Sequence, residues 1–488
     1  MNRIFNVARR GRASALAISI PTRVYIMAII FVLAMTILFL PMSYLSLQLS
    51  LAAALILLTV GMLATGIIAE QLSMLIFFLL TMVLSISPPS VVFSGFYSGA
   101  FWLVFGGLVI GAAVERTGLG RRIANSIVGN IKGNYGSVIA TVIFINVVLI
   151  FLMPSTLSRV VLLIPVMVAL ANSLGYTAGT TPHHGIIMAT VLSAYLCSTS
   201  VLPASVPNNV LMGAAESFQG IHIHYFDYLL LHFPVLGILK SFVIWGCVVL
   251  LFKPNGRNAK IKTKIGTVSL EVAKVYTKDE RRLFFFLIVA LVLWATDSIH
   301  GVAPAWISLG VGIICLMPVV GVVSSETFKE KVQVGPLLFV AGIIGVGAVV
   351  ADTGLGSFIS ELTIEASNLS ADDPLHGFFV LSGIAMLLGF FSTMPGVPAI
   401  LSPIASDLSA ASGLELRTVL MTQVIGFSTV WLPYQVPPMI IGMQLAGVPM
   451  AAGLKVTALI GLISFIILMP LVAVWWRFLG YLPDGALW

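Results

Sequence analysis

Long apolar runs separated by short polar hinges dominate this chain, with no period-two alternation to suggest strands. At ~20 apolar residues per membrane crossing, the pattern predicts helical spans near 24–41, 48–68, 72–86, 99–115, 184–213, 229–252, 283–297, 302–320, 335–351, 416–445 and 453–476. Two of these, 184–213 and 416–445, carry internal prolines and read as broken helices. Two further apolar stretches, 136–171 and 376–411, fit neither one crossing nor two. As a single helix each would measure ~52 Å against a hydrocarbon core of ~30 Å, and two crossings would take ~40 residues. A re-entrant hairpin fits better, turning at Pro154-Ser155-Thr156 in the first stretch and at Ser392-Thr393-Met394-Pro395-Gly396 in the second. Non-helical backbone at such depth is tolerated only where it is buried in protein or lines a cavity, so the tips mark a site. The fold class that follows is an all-α polytopic membrane protein of about eleven transmembrane helices plus two re-entrant hairpins.

Composition removes the alternatives. Of 488 residues, 59% are hydrophobic and only 9% charged, where a soluble domain carries ~25% charged residues. A β-barrel, a disordered chain, a coiled coil and a nucleic-acid-binding globule are all excluded. Cys197, Cys247 and Cys315 lie in apolar runs without ligand-like spacing, so neither a disulfide framework nor a metal cluster is expected.

The net charge of +7 is a topology signal. With the basic N-terminus placed in the cytoplasm, counting crossings forward puts 21 of the 25 basic residues inside and only Arg417 and Arg477 outside. A multi-pass protein of the inner membrane with its C-terminus outside is expected. Residues 1–98 form leading scaffold helices, 253–282 a cytoplasmic linker and 283–334 further scaffold helices. The two remaining basic residues, Arg159 and Lys240, fall within the apolar depth, where charge is costly and usually functional.

Residues 99–252 and 335–488 are copies of each other. Gly111–Gly120 reads GAAVERTGLG and Gly347–Gly356 reads GAVVADTGLG, seven identities in ten. Each copy continues through a hairpin into a broken span. The first break holds Ser198-Thr199, Pro203 and Val206-Pro207; the second holds Ser428-Thr429, Pro433 and Val436-Pro437 at the same spacing. The crossing count puts the two GLG motifs on opposite faces, so the repeats are inverted. Inverted repeats with discontinuous helices are the signature of secondary transporters.

The repeat, the two Ser/Thr tips ahead of Pro165 and Pro403, and the broken helices with Thr199 and Thr429 resemble the divalent anion:sodium symporter family from about Ala100 onward. That resemblance implies a homodimer with a static scaffold and a moving domain that carries substrate by an elevator motion. It also implies a Ser-Asn-Thr triplet at each tip, serving sodium and the substrate's carboxylate or sulfate. Neither tip here has the asparagine.

Hairpin tips and broken helices direct helix N-termini and hydroxyls toward an anion, while unwound carbonyls suit a small cation. The candidate substrate residues are Ser155, Thr156, Arg159, Ser392, Thr393, Asn208 and Pro437. The candidate cation residues are Ser155, Thr199, Asn208, Thr393 and Thr429. The competing reading for the hydroxyls is local bonding to helix backbone, and for the breaks a kink without a ligand. Arg159 reads in three ways: a bidentate fork on the anion, a fixed charge in place of one sodium, or a structural or snorkelling cation. Lys240 is open between a pair with Asp407 and proton coupling. His183-His184 and the His222, His224 pair lack a completing ligand for a metal, and Gly118-Leu119-Gly120 lacks the strand and Lys-Ser/Thr of a phosphate loop.

The expected function is import of a small di- or tricarboxylate, or sulfate, coupled to a cation gradient, sodium first and protons next. No cofactor is called for beyond sodium ions, and no nucleic acid; lipid and a second copy of the chain are the expected partners. The competing readings are the membrane subunit of a binding-protein-dependent transporter, a channel, and a membrane-embedded enzyme. The enzyme is disfavoured because no intramembrane carboxylate pair, HExxH or Ser/His/Asp constellation appears.

Overall fold

The computed structural model describes residues 24–39, 46–128, 134–254 and 276–483. Most of the expected 253–282 linker and the basic N-terminal tail lie outside the described residues. Those described are helical throughout, without a strand. Eight helices are long and apolar enough to cross a membrane, and three shorter apolar ones accompany them.

The leading helices are α1 (Val24–Phe39), α2 (Leu47–Thr65) and α3 (Glu70–Val83). The repeats then each open with a helix of 19 residues. Helix α4 (Gly99–Thr117) starts at Ser98, whose hydroxyl accepts from the Phe101 N–H, and stops at Gly118, φ +75°. Its counterpart, which starts at Val334 and ends at Asp352, is followed by Gly354 at φ +78°. Both glycines supply the left-handed turn that ends a helix and re-aims the chain. Helix α5 (Leu119–Val128) follows, burying Leu119, Ala124 and Val128 while Arg121 stays exposed.

The first hairpin is α6 (Tyr135–Leu152) and α7 (Thr156–Ser173), turning over Met153–Ser155. Each arm is 18 residues, about 27 Å at 1.5 Å per residue. The first broken span is α8 (Thr181–Leu196), two short 3-10 turns, and α9 (Val206–Gln219). Helix α10 (Tyr225–Leu251) closes the repeat with a π-helical stretch at Phe233–Leu239.

Helices α11 (Lys278–Ala295) and α12 (Pro304–Leu316) lead to α13 (Val334–Asp352) and α14 (Leu355–Ser367). Gly106 of α4 lies against the Ser308 backbone of α12, and Ser308 Oγ donates to Leu103 O at 3.1 Å. Small residues give this close approach, the usual adhesive of helices in lipid.

The second hairpin differs from the first. Its leading arm is α15 (Pro374–Phe391), but the returning arm is split into α16 (Gly396–Leu401) and α17 (Ala405–Ser412) around Pro403, whereas α7 runs through Pro165 unbroken. Side chains satisfy the opened turn: Gln219 Nε2 donates to Ser402 O at 2.8 Å and Ser402 Oγ to Gln423 Oε1 at 3.0 Å. The second broken span is α18 (Leu416–Ser428) and α19 (Pro437–Leu445). Helix α20 (Met450–Phe478) ends the repeat with its own π-helical stretch, Ser464–Leu468.

Ion pairs sort onto two faces. Arg116–Asp279, Arg122–Glu280 and Lys331–Glu115 join residues that the crossing count places together on one side. Arg417–Asp227, His222–Glu216 and His224–Asp297 join residues it places on the other. Two apolar clusters fill the interior. The larger joins both hairpins to both broken helices; the smaller joins α2 and α3 to α13.

Candidate functional site

The first hairpin tip meets the first helix break. Ser155 caps α7, its hydroxyl accepting from Ser158 N–H at 3.3 Å and lying 3.0 Å from Ser158 Oγ. Thr156 Oγ1 donates to Ala204 O at 3.2 Å and lies 3.5 Å from Ser198 Oγ, so hairpin and break are bonded directly. Asn208 closes the break on itself: Nδ2 donates to Ser198 O at 3.1 Å and to Val201 O at 2.8 Å, and its buried Oδ1 has no partner. The Thr199 hydroxyl donates to Leu196 O at 2.8 Å, the local bond that competed with a ligand role, although its oxygen lone pairs remain.

Arg159 is wholly buried one turn into α7. Its Nη1 donates to Met153 O, and its Nη2 reaches Thr156 Oγ1 at 3.1 Å, Ala194 O at 2.9 Å and Ala204 O at 3.0 Å. Only Nε is without a partner. The planar fork that a bidentate grip on an anion would use is turned to protein oxygens. Three carbonyls and a hydroxyl around one positive charge are the donor set a small hard cation takes, and here a tethered guanidinium fills it.

The second tip is left more open. Ser392 Oγ and Thr393 Oγ1 are buried without a hydrogen-bond partner. Gly396 leaves room beside them, since a Cβ there would displace Ser392 Oγ from its place. Thr429 bonds locally to Ile425 O at 2.9 Å, and Pro437 opens α19, where its missing N–H costs nothing. Among the described residues no hydrogen bond joins the two tips.

Gln435, which sequence reasoning missed, organises this second break. Its Oε1 accepts from Trp431 N–H at 2.9 Å and Leu432 N–H at 2.8 Å, while Nε2 donates to Gly389 O of α15 at 2.6 Å. The available signal was an amide side chain inside an apolar, proline-flanked stretch. Tyr195 and Tyr228 were missed too. Tyr195 OH donates to Phe427 O at 3.0 Å and Tyr228 OH to Thr199 O at 2.7 Å, so phenols cap carbonyls that the breaks leave bare.

Lys240 does not pair with Asp407, whose carboxylate instead accepts from Ser360 Oγ at 2.8 Å. The Lys240 ammonium donates to Ser428 O at 2.8 Å and lies 3.1 Å from Ser428 Oγ. Each broken helix thus ends its first half on a buried cation, Arg159 for α8 and Lys240 for α18. Cations belong at helix C-termini, where the macrodipole is negative.

The histidines weighed as metal ligands make none of these contacts. His183 begins α8, and His222 and His224 face Glu216 and Asp297.

A family model described as the sodium:sulfate symporter transmembrane region matches residues 21–482. Among curated relatives, a membrane protein of Cupriavidus necator is 24% identical over 408 residues, covering 80% of this chain and 76% of that protein. The L-tartrate/succinate antiporter of Escherichia coli K12 is 24% identical over 393 residues, 78% of this chain and 79% of its own length. The inner membrane protein YbhI of the same organism is 24% identical over 336 residues, 67% and 68% of the two chains. Among solved structures, the YdaH transporter of Alcanivorax borkumensis superposes with a TM-score of 0.51 at 16% identity, covering 80% of this chain and 88% of that one.

Proposed function

The chain belongs to the sodium:sulfate symporter family of anion transporters, and on that premise we propose that it moves a small dicarboxylate across the inner membrane by exchange, with little or no demand for sodium. The observation that carries this reading is Arg159, whose guanidinium occupies the carbonyl and hydroxyl cluster at the first break. A cation tethered there supplies the charge that a bound sodium would bring and competes with it for the same oxygens. The absence of asparagine from both tips points the same way. The relative named an L-tartrate/succinate antiporter supports exchange of dicarboxylates over import driven by an ion gradient.

The substrate would lie between the tips and the breaks, taking hydrogen bonds from Ser392 and Thr393, whose hydroxyls have no partner, and from the N-terminal turns of α7 and α9. Ser155 and Thr156 shape the first tip, while Asn208 holds the break in register and offers its unpartnered Oδ1. Weak residual cation binding would fall to the oxygens of Thr393 and Asn208, with Ser155, Thr199 and Thr429 more remote because their hydroxyls are locally engaged.

An elevator motion is part of the same reading. The hairpins and broken helices pack together in the larger apolar cluster, which also takes in α11 and α12, while α2, α3 and α13 pack in the smaller one with Val210 of α9 and Ala399 of α16. A homodimer is supported by family membership, and a cytoplasmic N-terminus by the distribution of basic residues.

The test is counterflow in proteoliposomes loaded with unlabelled succinate and supplied with labelled succinate outside, with sodium, potassium or neither. Equal rates in all three support sodium-independent exchange. A steep sodium dependence with a Hill coefficient near two would overturn it.

A further inference from the structure

Lys240 is the second cation buried at a helix break, and its position spans both breaks. Its own helix packs on the first. Ser241 Oγ lies 3.2 Å from Cys197 Sγ, and a Cβ on Gly237 would meet Ser200 Oγ at 2.9 Å. Its ammonium reaches the second break, at Ser428.

No carboxylate among the described residues forms an ion pair with either cation. A fully buried charge without a counter-ion is expensive. The two helix ends that the cations cap offset about half a charge each, so roughly one net positive charge remains in the centre. The N-termini of α7 and α9, both at the first break, add to it. The missing counter-charge is then a diffusible anion, and a dianion offsets the surplus better than a monoanion.

We infer that Lys240 is a resident cation of the anion site, selecting doubly charged substrates through its field at the second break without touching them. The inference rests on the anion-transport reading and adds to it a residue and a charge rule for the substrate. It also makes the two repeats interdependent, since the cation is carried by the first and seated on the second.

The test compares calorimetric binding of succinate with that of its monomethyl ester, which differs by one charge, to the purified full-length protein and to Lys240→Gln and Lys240→Arg. Glutamine removes the charge and keeps N–H donors on a side chain one bond shorter. Lys240→Gln is expected to lose about 30-fold or more in succinate affinity and far less for the ester, with Lys240→Arg retaining most of the discrimination. Equal losses for both ligands, or none for either, would overturn the inference. Should Lys240→Gln not fold, Lys240→Ala with added methylammonium takes its place. Recovery of succinate binding by methylammonium and not by acetamide supports a charge role, and no recovery overturns it. A parent protein that binds neither succinate, tartrate nor sulfate removes the transport reading itself, and this inference with it.

Discussion

The ammonium of Lys240 lies 2.8 Å from the main-chain oxygen of Ser428, a residue of the opposite repeat. Tyr195 OH, on the same first repeat, takes the neighbouring Phe427 O at 3.0 Å. The C-terminal end of α18 is therefore capped by side chains from outside its own repeat, and its last carbonyls need no water at that depth. On the first repeat, Arg159 does the same for α8 from within. Two buried cations at two helix ends set the electrostatics of everything between them.

Arg159→Gln is expected to lose about 2 kcal/mol or more of substrate binding, roughly 30-fold in Kd, because a fixed charge beside the anion is removed. Arg159→Lys should recover only part of this, since an ammonium cannot span the four oxygens that the fork reaches. Isothermal titration with succinate on folded protein measures both. If Arg159→Gln binds as the parent does, charge compensation passes to bound cations.

Gln435→Ala leaves the Trp431 and Leu432 N–H groups and the Gly389 carbonyl without partners. The expected cost is about 2–4 kcal/mol, from several buried groups left unsatisfied at once. Thermal unfolding in detergent should show a clearly lower midpoint, and Gln435→Glu, which keeps the acceptor but loses the donor, should fall between. An unchanged midpoint for the alanine variant would mean the second tip is anchored elsewhere.

Glu280 ties α5 to the start of α11. Burial works against its ionisation, but the Arg122 bond at 2.6 Å and the capping bonds with Thr277 outweigh it and hold the carboxyl below its ordinary value of 4.5. A carboxyl depressed in the folded state stabilises above its unfolded value and loses that contribution as pH falls through the folded one. Stability should be flat near neutrality and fall below about pH 4.5. Glu280→Gln should cost roughly 1–3 kcal/mol at pH 7, by removing the charge from the buried Arg122 bond, and should blunt the acid limb. An acid limb identical to the parent's would assign it to other carboxylates.

The distribution of basic residues predicts which face is cytoplasmic. A membrane-impermeant thiol reagent applied to intact cells should label His222→Cys and leave Lys253→Cys untouched. The reverse pattern would invert the molecule, exchanging the faces on which the two repeats open.

Much of the architecture was legible because membrane helices obey local rules. Span length follows from hydrocarbon thickness, and Gly118 and Gly354 end their helices for a reason visible in the residue itself. The breaks at Pro203 and Pro433 were legible for the same reason, since proline removes a donor wherever the chain goes. Proline alone did not say whether a helix would part. Pro165 sits within an intact α7, while Pro403 separates α16 from α17, where the Gln219 amide meets the opened Ser402 carbonyl.

The candidate site was legible as a place and less so as a set of contacts. Ser155, Thr156 and Arg159 do converge on the first break, and Ser392 and Thr393 do lie buried with open hydroxyls. Thr199 and Thr429 turned inward to their own helices, a choice that rotamer and neighbouring carbonyl make together. Gln435 and Tyr195 escaped notice because nothing local distinguishes a side chain that will cap a distant carbonyl from one that will not.

By itself the sequence determined that this is an all-helical membrane protein, with two segments that repeat each other and two cations at a depth where charge is costly. Those properties depend on hydrophobic length, proline chemistry and internal identity, all readable along one dimension. Only the tertiary structure decided where the cations go. Arg159 could grip an anion or fill a carbonyl cluster, and Lys240 could meet Asp407 or Ser428, and both choices turn on distances of about 3 Å between segments as much as 188 residues apart. A hydrogen bond is made or missed within less than an ångström, and no pattern along the chain carries that precision.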